Sequence, residues 1–284
     1  MVSSSGSPRV DAESDFMRAR RHQVLSSLAA RLRNDTADVV QSVSFDEVDE
    51  ALGRRAENYL GTRVISLDAI VGSVDKVRDF DRRFRPTSVI NRQRWERLAR
   101  ASRTGEVIPP IDVYQIGEYY FVRDGHHRVS VARSLGVDLI EARVTAIDTF
   151  LAPVGIDART DLELKFWRRL MLQRVPFMGD ARAAVAVDNP PDYGVIAETV
   201  EAWAARTMHA EGAYMDKVTM AARWYAEEFE PVVNMIEEAG VRGEGERPTE
   251  AYLRVACERY RLIREHEWNA EVLEAVGRKG KKRR

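Results

Sequence analysis

The sequence predicts an α+β protein in which one small mixed-sheet domain lies between two helical regions. Runs rich in valine, isoleucine and aromatic residues, typical of strands, are concentrated in residues 61–148. The segments on either side repeat apolar residues at helical spacing instead. Among the strands, one turn is followed by a short helical pattern, and that helix is expected to pack on the sheet.

Composition bounds the class of protein. The chain has 284 residues, of which 44% are hydrophobic and 31% charged, with a net charge of −1. These values are ordinary for a globular protein and provide no overall field that would attract nucleic acid or a membrane. The single cysteine, Cys257, excludes a disulfide within the chain and the thiolate pairs of a zinc site. Because no secretory signal or spanning apolar stretch is present, we expect a cytoplasmic protein without a membrane partner.

The N-terminal region, residues 1–60, is predicted to be a disordered segment followed by a helical extension. Met1 to about Glu13 is rich in serine and glycine, which is typical of disorder. Residues 14–32 follow a helical pattern, and a second helix is expected from residue 44 towards Leu52 or Tyr59.

The central domain, residues 61–148, is predicted to alternate strands and helices. Gly117-Glu118 separates two short strand-like runs, so a hairpin is expected with Gly117 at positive φ. The predicted order is a strand at 63–70, a charged connector at 72–85, a helix at 91–102, strands at 111–116 and 119–123, a helix ending at 135 and a strand at 139–147.

The helix after Gly125 is expected to cover the sheet with one face. Val131, Ala132 and Leu135 share that face at helical spacing, together with Arg128. Arg128 is therefore expected to lie at the edge of the sheet and not in open solvent.

Residues 149–277 are predicted to form an all-helical domain, and residues 278–284 a basic tail. Helices are expected at 161–172, 195–208, 214–229, 231–239 and 249–276. Six of the last seven residues are cations, and they would contact a nucleic-acid backbone without reading its sequence. A short basic tail is also common as a solvated end.

The turn Asp124-Gly125-His126-His127-Arg128 is the main candidate site. The first turn of a helix has free backbone N–H groups and partial positive charge, so three potential cations there are unfavourable without a partner. An anion bound at the turn reverses that sign, Gly125 lets the backbone approach closely, and Arg128 suits phosphate. The alternative is an ordinary Asp-Gly turn before a solvated helix start.

These residues also carry a resemblance. The segment from Pro109-Pro110-Ile111-Asp112-Val113 to Val144, centred on Asp124 to Ala132, resembles the ParB/sulfiredoxin fold over about Thr62 to Ile147. ParB N-terminal domains carry Gly-Glu-Arg-Arg at the turn, and sulfiredoxin carries Gly-Cys-His-Arg. The resemblance implies that the turn, Asp124 to Arg128, holds nucleotide phosphates. Gly125 and His127 would contact phosphate and Arg128 would clamp it.

The resemblance implies a second group of phosphate contacts. In ParB-like proteins the loop after the first strand approaches the nucleotide, and here that loop is Arg78 to Pro86. Its candidate contacts are Arg82, Arg83 and Arg85. Each one alone is about as readily explained by a solvated loop of alternating charge. Mg²⁺ would accompany the nucleotide, held through water by Asp79 or Asp81, with no resident protein metal site.

His126 is the candidate catalytic residue. It takes the position of the reactive cysteine of sulfiredoxin, so sulfiredoxin activity is not expected. It also takes the position of the glutamate linked to CTP hydrolysis in ParB, which leaves hydrolysis open. A histidine can act as acid or base near neutral pH.

The sequence therefore favours a bacterial, ParB-like regulatory or adaptor protein that binds CTP or ATP. DNA association through backbone contacts, as in chromosome partitioning, and a homodimer are left open. The helical region, with Trp224-Tyr225 and Pro248-Thr249-Glu250, resembles a domain that follows ParB-like domains in bacterial proteins. The sequence of this region shows no helix-turn-helix, which argues against recognition of centromere DNA. The alternatives are a nucleotide-dependent phosphotransferase or nuclease on the same scaffold, and a module that binds phosphate or an acidic partner.

Overall fold

A computed structural model describes residues 7–32, 42–156 and 159–263. The chain divides into two compact units, Met1–Leu162 and Glu163–Arg284. The first unit contains the sheet and the second is helical. No helix in the described ranges has the length and apolar character needed to cross a bilayer.

The first unit contains six strands and four helices within its described residues, the start of a further helix aside. In chain order they are α1 (Pro8–Leu32), β1 (Val43–Ser44), α2 (Phe45–Leu52), β2 (Arg54–Ser66), β3 (Ile70–Ser73), α3 (Arg92–Arg103), β4 (Ile111–Ile116), β5 (Tyr119–Asp124), α4 (His126–Ser134) and β6 (Leu139–Thr149). The predicted α+β class, with a mixed sheet and helical additions on both sides, is confirmed.

The six strands form one mixed sheet in the order β1-β3-β5-β4-β6-β2. β3 runs parallel to β1 and β5, and β4 runs parallel to β6, whereas the β4–β5 and β2–β6 pairs are antiparallel. Because β3 and β5 are parallel neighbours, their carboxyl ends lie at the same edge of the sheet. α4 begins at that edge, which is where ligands bind in many open α/β sheets.

α4 is packed on two sides. Its Val129 belongs to the core over the sheet, with Ile111 and Val122. Its Val131 belongs to a second core formed by Phe16 of α1 and by Trp95 and Ala99 of α3. The prediction that this face packs on the sheet is confirmed for Ala132, which packs against the first core. It is wrong for Val131 and Leu135, because α3 and α1 cover the opposite side of α4.

The N-terminal predictions were partly correct. A helix covers residues 14–32 as expected, but it begins at Pro8, so predicted disorder is wrong for residues 8–13. Asp11 and Ala12 are buried there, and Asp11 lies 4.0 Å from the Arg103 guanidinium on α3. Tertiary contacts thus order a segment whose composition is typical of disorder. Residues 1–6 lie outside the described part.

The single strand predicted at 63–70 is wrong, because this range covers the end of β2 and the first residue of β3. Of the two ends predicted for α2, Leu52 is confirmed and Tyr59 is wrong, because Gly53 has a φ of 75° and the chain then enters β2. β2 pairs with β6 from Arg54 to Ser66, with register shifts around Arg55 and Leu60. β3 is a separate strand, so Gly72 and Ser73 do not belong to the predicted connector.

The remaining predictions in this unit agree closely with the structure. α3, the β4–β5 hairpin, α4 and β6 all lie within a few residues of their expected bounds. Gly117 has a φ of 58° in the hairpin, and Gly136 has a φ of 72° directly after the end of α4.

The second unit consists of helices around an aromatic core. The helices are α5 (Arg159–Arg174), which begins just before the unit boundary, α6 (Gly179–Ala184), α7 (Asp192–Glu211), α8 (Lys217–Trp224), α9 (Glu230–Glu238) and α10 (Pro248–Ile263). A π-helical turn, Tyr225–Phe229, joins α8 to α9. Trp224 packs against Phe177, Phe229 and Tyr252 with ring centroids 5.2–5.7 Å apart.

Two helical predictions need correction. The helix predicted from Tyr214 begins at Lys217, where the Asp216 carboxylate accepts a hydrogen bond from the Thr219 backbone at 2.8 Å. α6 was not predicted. The predicted end of the last helix, at residue 276, and the basic tail lie outside the described residues.

Candidate functional site

The β5–α4 turn depends on a glycine for two separate reasons. Gly125 has a φ of 101°, which residues with a side chain rarely adopt. A Cβ at this position would lie 2.5 Å from Cγ2 of Ile111 and 3.1 Å from Cζ of Arg128. The backbone therefore approaches Ile111 of β4 closely, which requires a glycine here whether or not an anion binds at the turn. Gly125 also supplies no side-chain cap, so the first amides of α4 have no partner from the capping position.

His126 is buried and joins the turn to the end of β3. Its Nε2 atom lies 2.7 Å from the Ser73 hydroxyl, which also accepts a hydrogen bond from the Lys76 backbone at 3.0 Å. The ring stacks near Phe80 and Phe84, with centroids 6.0 and 6.3 Å away. Burial, followed by the positive charge of Lys76, lowers the pKa of His126 to about 4.

His127 is buried without a hydrogen-bond partner on either ring nitrogen. Only 6% of the residue is exposed, and its ring meets the Phe80 ring edge-on at 5.1 Å. Burial lowers the pKa of His127 to about 4, and the charges of Arg94 and Lys76 add to this. A buried polar group without a partner is costly, and this distinguishes His127 from His126, which contacts Ser73.

These two pKa values correct the electrostatic argument from the sequence. At neutral pH both imidazoles are uncharged, so His126 and His127 place no positive charge at the start of α4. Each neutral ring offers one N–H donor and one nitrogen acceptor. The free-energy penalty that remains at these histidines comes from buried polar atoms without a hydrogen-bond partner, and not from repulsion between cations.

Arg128 is engaged within the protein. Its guanidinium donates to the backbone oxygens of Pro109 (2.9 Å) and Pro110, and it forms an ion pair with Asp124. Arg128 thus connects the residues before β4 to the start of α4. It lies at the edge of the sheet, as predicted. A role for Arg128 and Asp124 in phosphate binding would require this arrangement to open.

The arginine-rich loop is organised around Asp81. This carboxylate is buried, accepts hydrogen bonds from the Arg83 and Arg85 backbone, and pairs with the Arg85 guanidinium at 2.8 Å. It is therefore committed to the loop and poorly placed to support Mg²⁺. Phe84 has a φ of 56° and is buried, so its side chain anchors the loop to the core.

The three loop arginines differ in their surroundings. Arg85 is paired with Asp81, whereas Arg82 and Arg83 are exposed and have no ion-pair partner in the described part of the chain. Burial lowers the pKa of Arg133, and the charge of Arg83 adds to this effect. Arg83 is therefore near Arg133, in the last turn of α4. The positive charges that act on His127 are those of Arg94 and Lys76, and the negative charge of Asp79 opposes them.

Comparison with known protein families identifies the domain that contains this site. The model described as ParB N-terminal domain matches residues 73–152. Residues 73–152 are therefore similar to a ParB N-terminal domain, and we call them the ParB-like domain. No curated protein matches the chain.

The whole turn and the whole arginine-rich loop belong to the ParB-like domain. Its matched range begins at Ser73, the residue that contacts His126, and includes α3, the β4–β5 hairpin, α4 and β6. α1, α2 and β2 precede the range, although β2 pairs with β6 and α1 covers α3. The ParB-like domain is thus completed by residues outside the match.

The sequence analysis missed three residues of this part of the ParB-like domain. Ser73 and Lys76 fell in the predicted connector, and Arg94 is one of several arginines on α3. A polar residue at the carboxyl end of a strand parallel to β5 would have indicated Ser73, but β3 itself was not recognised. Among the described residues, no cluster of three or more histidine, cysteine or acidic side chains is arranged to hold a metal ion.

Proposed function

We propose that this chain is a ParB-like regulatory or adaptor protein that binds a nucleoside triphosphate, CTP or ATP, at the start of α4. The observation that supports this most directly is the buried imidazole of His127, whose two ring nitrogens have no partner. It stands in the first turn of a helix whose capping residue supplies no hydrogen bond.

A phosphate group would satisfy several of these atoms together. The amides at a helix N-terminus point towards an anion, and the dipole favours negative charge there. The neutral His127 ring would donate its N–H to a phosphate oxygen. The charges of Lys76 and Arg94, which already act on His127, would favour an anion in the same place.

The metal and the loop have definite roles in this proposal. Mg²⁺ would arrive with the triphosphate, because Asp81 is engaged within the loop. Asp79 is exposed and pairs with the Lys76 ammonium at 3.8 Å, so it would contact the ion through water only by exchanging this ion pair for the metal. Arg82 and Arg83 would reach phosphate only if the loop moved on binding.

In this regulatory role, the bound nucleotide would change the affinity of the chain for a partner. The ParB-like domain favours DNA as the partner, and residues 278–284 would contact the DNA backbone. A homodimer and a cytoplasmic location belong to the same proposal. The described helices include none that would place the chain across a membrane.

The test is calorimetric titration of the full chain with each of the four ribonucleoside triphosphates in the presence of Mg²⁺. We expect micromolar binding of CTP or ATP, weakened at least about tenfold in His127→Ala, since a hydrogen bond to a charged group contributes about 1.5–3 kcal/mol. His209→Ala, which removes an exposed histidine from α7, is the matched control. Absence of binding by all four nucleotides would overturn the proposal.

A second candidate, an enzyme on the same scaffold, is favoured by the contact between Ser73 and His126. A neutral imidazole 2.7 Å from a hydroxyl has the arrangement of a base beside a nucleophile. In a phosphotransferase or nuclease, His126 would accept a proton from an attacking hydroxyl or water. His126→Ala should then abolish turnover of nucleotide or nucleic acid while sparing binding, and unchanged turnover in this variant would exclude the role.

A further inference from the structure

The five arginines of α3 differ in whether they are paired. The helix contains Arg92, Arg94, Arg97, Arg100 and Arg103, and its one acidic residue is Glu96. Such a density of one charge on a short helix is unfavourable, because like charges three or four residues apart repel each other. Their surroundings show which of these charges the protein itself balances.

The first and last arginines are balanced within the protein. Arg92 pairs with Glu96 of its own helix and with Glu13 of α1. Arg103 pairs with Asp15 of α1 and lies 4.0 Å from Asp11. These two arginines lie on the side of α3 that carries the buried Trp95 and faces α1.

The other three arginines face solvent without a counter-charge. Arg94, Arg97 and Arg100 are exposed, and none has an ion-pair partner within residues 7–32, 42–156 and 159–263. At about 100° per residue, Arg97 projects from the side opposite Trp95 and Ala99, with the other two about 60° to either side. No acidic residue of α3 shares this surface, which we call the arginine face (Arg94, Arg97 and Arg100).

We propose that the arginine face binds the phosphodiester backbone of a nucleic acid. Three guanidinium groups follow one helix face over roughly 9 Å, and each can contact phosphate with two N–H donors. Binding replaces repulsion between these arginines with attraction to phosphate and releases condensed counterions. The contact is to backbone, so it is independent of base sequence.

An acidic protein would also supply negative charge, but the outward side of α3 does not suit one, and the exposed apolar residues Val89 and Ile90 lie before the helix begins. Between the arginines, the outward side of α3 carries Gln93 and Ala101, with no large apolar side chain. Protein interfaces usually have an apolar, well-packed centre surrounded by polar residues. A uniformly cationic surface without such a centre is typical of phosphate-backbone contact.

This inference deepens the proposed function, on which it rests for nucleic acid as the class of partner, and it does not depend on the nucleotide site. Arg94 is close enough to His127 for its charge to lower the pKa of that imidazole, so the arginine face begins beside the α4 turn. Its other two members lie along α3, further from that turn. A failure of nucleotide binding would therefore leave the arginine face untouched.

The experiment uses fluorescence anisotropy of the full chain with labelled 20-mer duplex DNA, single-stranded DNA and duplex RNA of arbitrary sequence, from 50 to 200 mM salt. We expect binding that weakens with salt. The variant R94Q/R97Q/R100Q should bind about tenfold or more weakly, and its slope of log K against log salt should be shallower by roughly 2–3. The three probes reveal which nucleic acid is preferred.

The matched control removes the same charge from arginines that are already paired. R174Q/R223Q/R247Q lies in the second unit, where all three residues form ion pairs. It should bind like the unaltered chain, and circular dichroism should show both variants folded. Three results would overturn the proposal: no binding of any probe at 50 mM salt, equal weakening in both variants, or binding lost only when residues 278–284 are removed.

Discussion

At Gly125 the backbone leaves β5 and enters α4 with a φ of 101°, against the side chain of Ile111. Gly125→Ala should therefore lower the free energy of unfolding by roughly 2–5 kcal/mol, from backbone strain together with overpacking. Chemical denaturation measures the change. Gly136→Ala is the control, since Gly136 also has a positive φ but a Cβ there would meet no atom within 4 Å. Equal losses in the two variants would show that Ile111 does not restrict the turn.

The two buried histidines predict a pH dependence of stability. Their pKa values are lowered to about 4 in the folded protein, against about 6.5 when unfolded. The unfolded chain binds more protons between these values, so this contribution is complete above pH 6.5 and is lost as the pH falls towards 4. Each histidine accounts for about 3 kcal/mol of unfolding free energy over that range.

The measurement is urea unfolding at several pH values between 4 and 7. His127→Gln should remove about half of the histidine-dependent slope, and His22→Gln, which changes an exposed histidine of α1, should leave it unchanged. A slope that is identical in His127→Gln and the unaltered protein would contradict burial of a neutral His127.

At the same scale, the sequence identified the residues of the turn but not their charge states. The order Asp124 to Arg128 and the need for a glycine were predictable, because they depend on local backbone geometry. The neutrality of His126 and His127 was not, since it comes from Phe80, Phe84 and Lys76, which are distant in sequence.

At the scale of elements, α4 is held between the sheet on one side and α3 and α1 on the other. Trp95 of α3 is fully buried, and its Nε1 donates to the Ser130 hydroxyl of α4 at 2.9 Å. Phe16 of α1 meets the same indole edge-on, with ring centroids 5.5 Å apart. The N-terminal helix therefore helps to position the helix whose first turn forms the candidate site.

Removal of the Ser130 hydroxyl tests this arrangement. Ser130→Ala leaves the Trp95 N–H buried without an acceptor and should destabilise the protein by about 1–3 kcal/mol in thermal or urea unfolding. Ser14→Ala, at an exposed position of α1, should change stability by less than about 0.5 kcal/mol. No loss in Ser130→Ala would indicate that water replaces the hydroxyl.

Element lengths were predictable where local signals were strong. Glycines mark the turn between β4 and β5 and the end of α4, and both were placed correctly. β2 shows the limit of such signals: residues such as Glu57 and Asn58 have low strand propensity, yet they pair with β6. The length of that strand is set by its partner.

At the scale of the whole molecule, the two compact units predict two unfolding transitions. Ile70 and Ile236 are matched probes, each about 1% exposed, one in each unit. Replacing either by alanine should cost about 2–5 kcal/mol and lower the midpoint of its own transition by roughly 5–15 °C. Calorimetry measures both midpoints. If each variant shifted both transitions equally, the units would unfold together.

The sequence by itself determined the α+β class, the helical additions, the ParB-like resemblance of the central domain and the turn that contains Gly125. The class, the helical additions and the turn follow from residue periodicity and backbone preference, which act over a few neighbouring residues. The resemblance rests instead on the particular residues between Pro109 and Val144. Only the tertiary structure decided that β3 ends beside α4, that His127 is buried without a partner, and that two of the α3 arginines are neutralised by α1. Burial and charge pairing depend on residues far apart in the chain, so they exist only once the chain has folded.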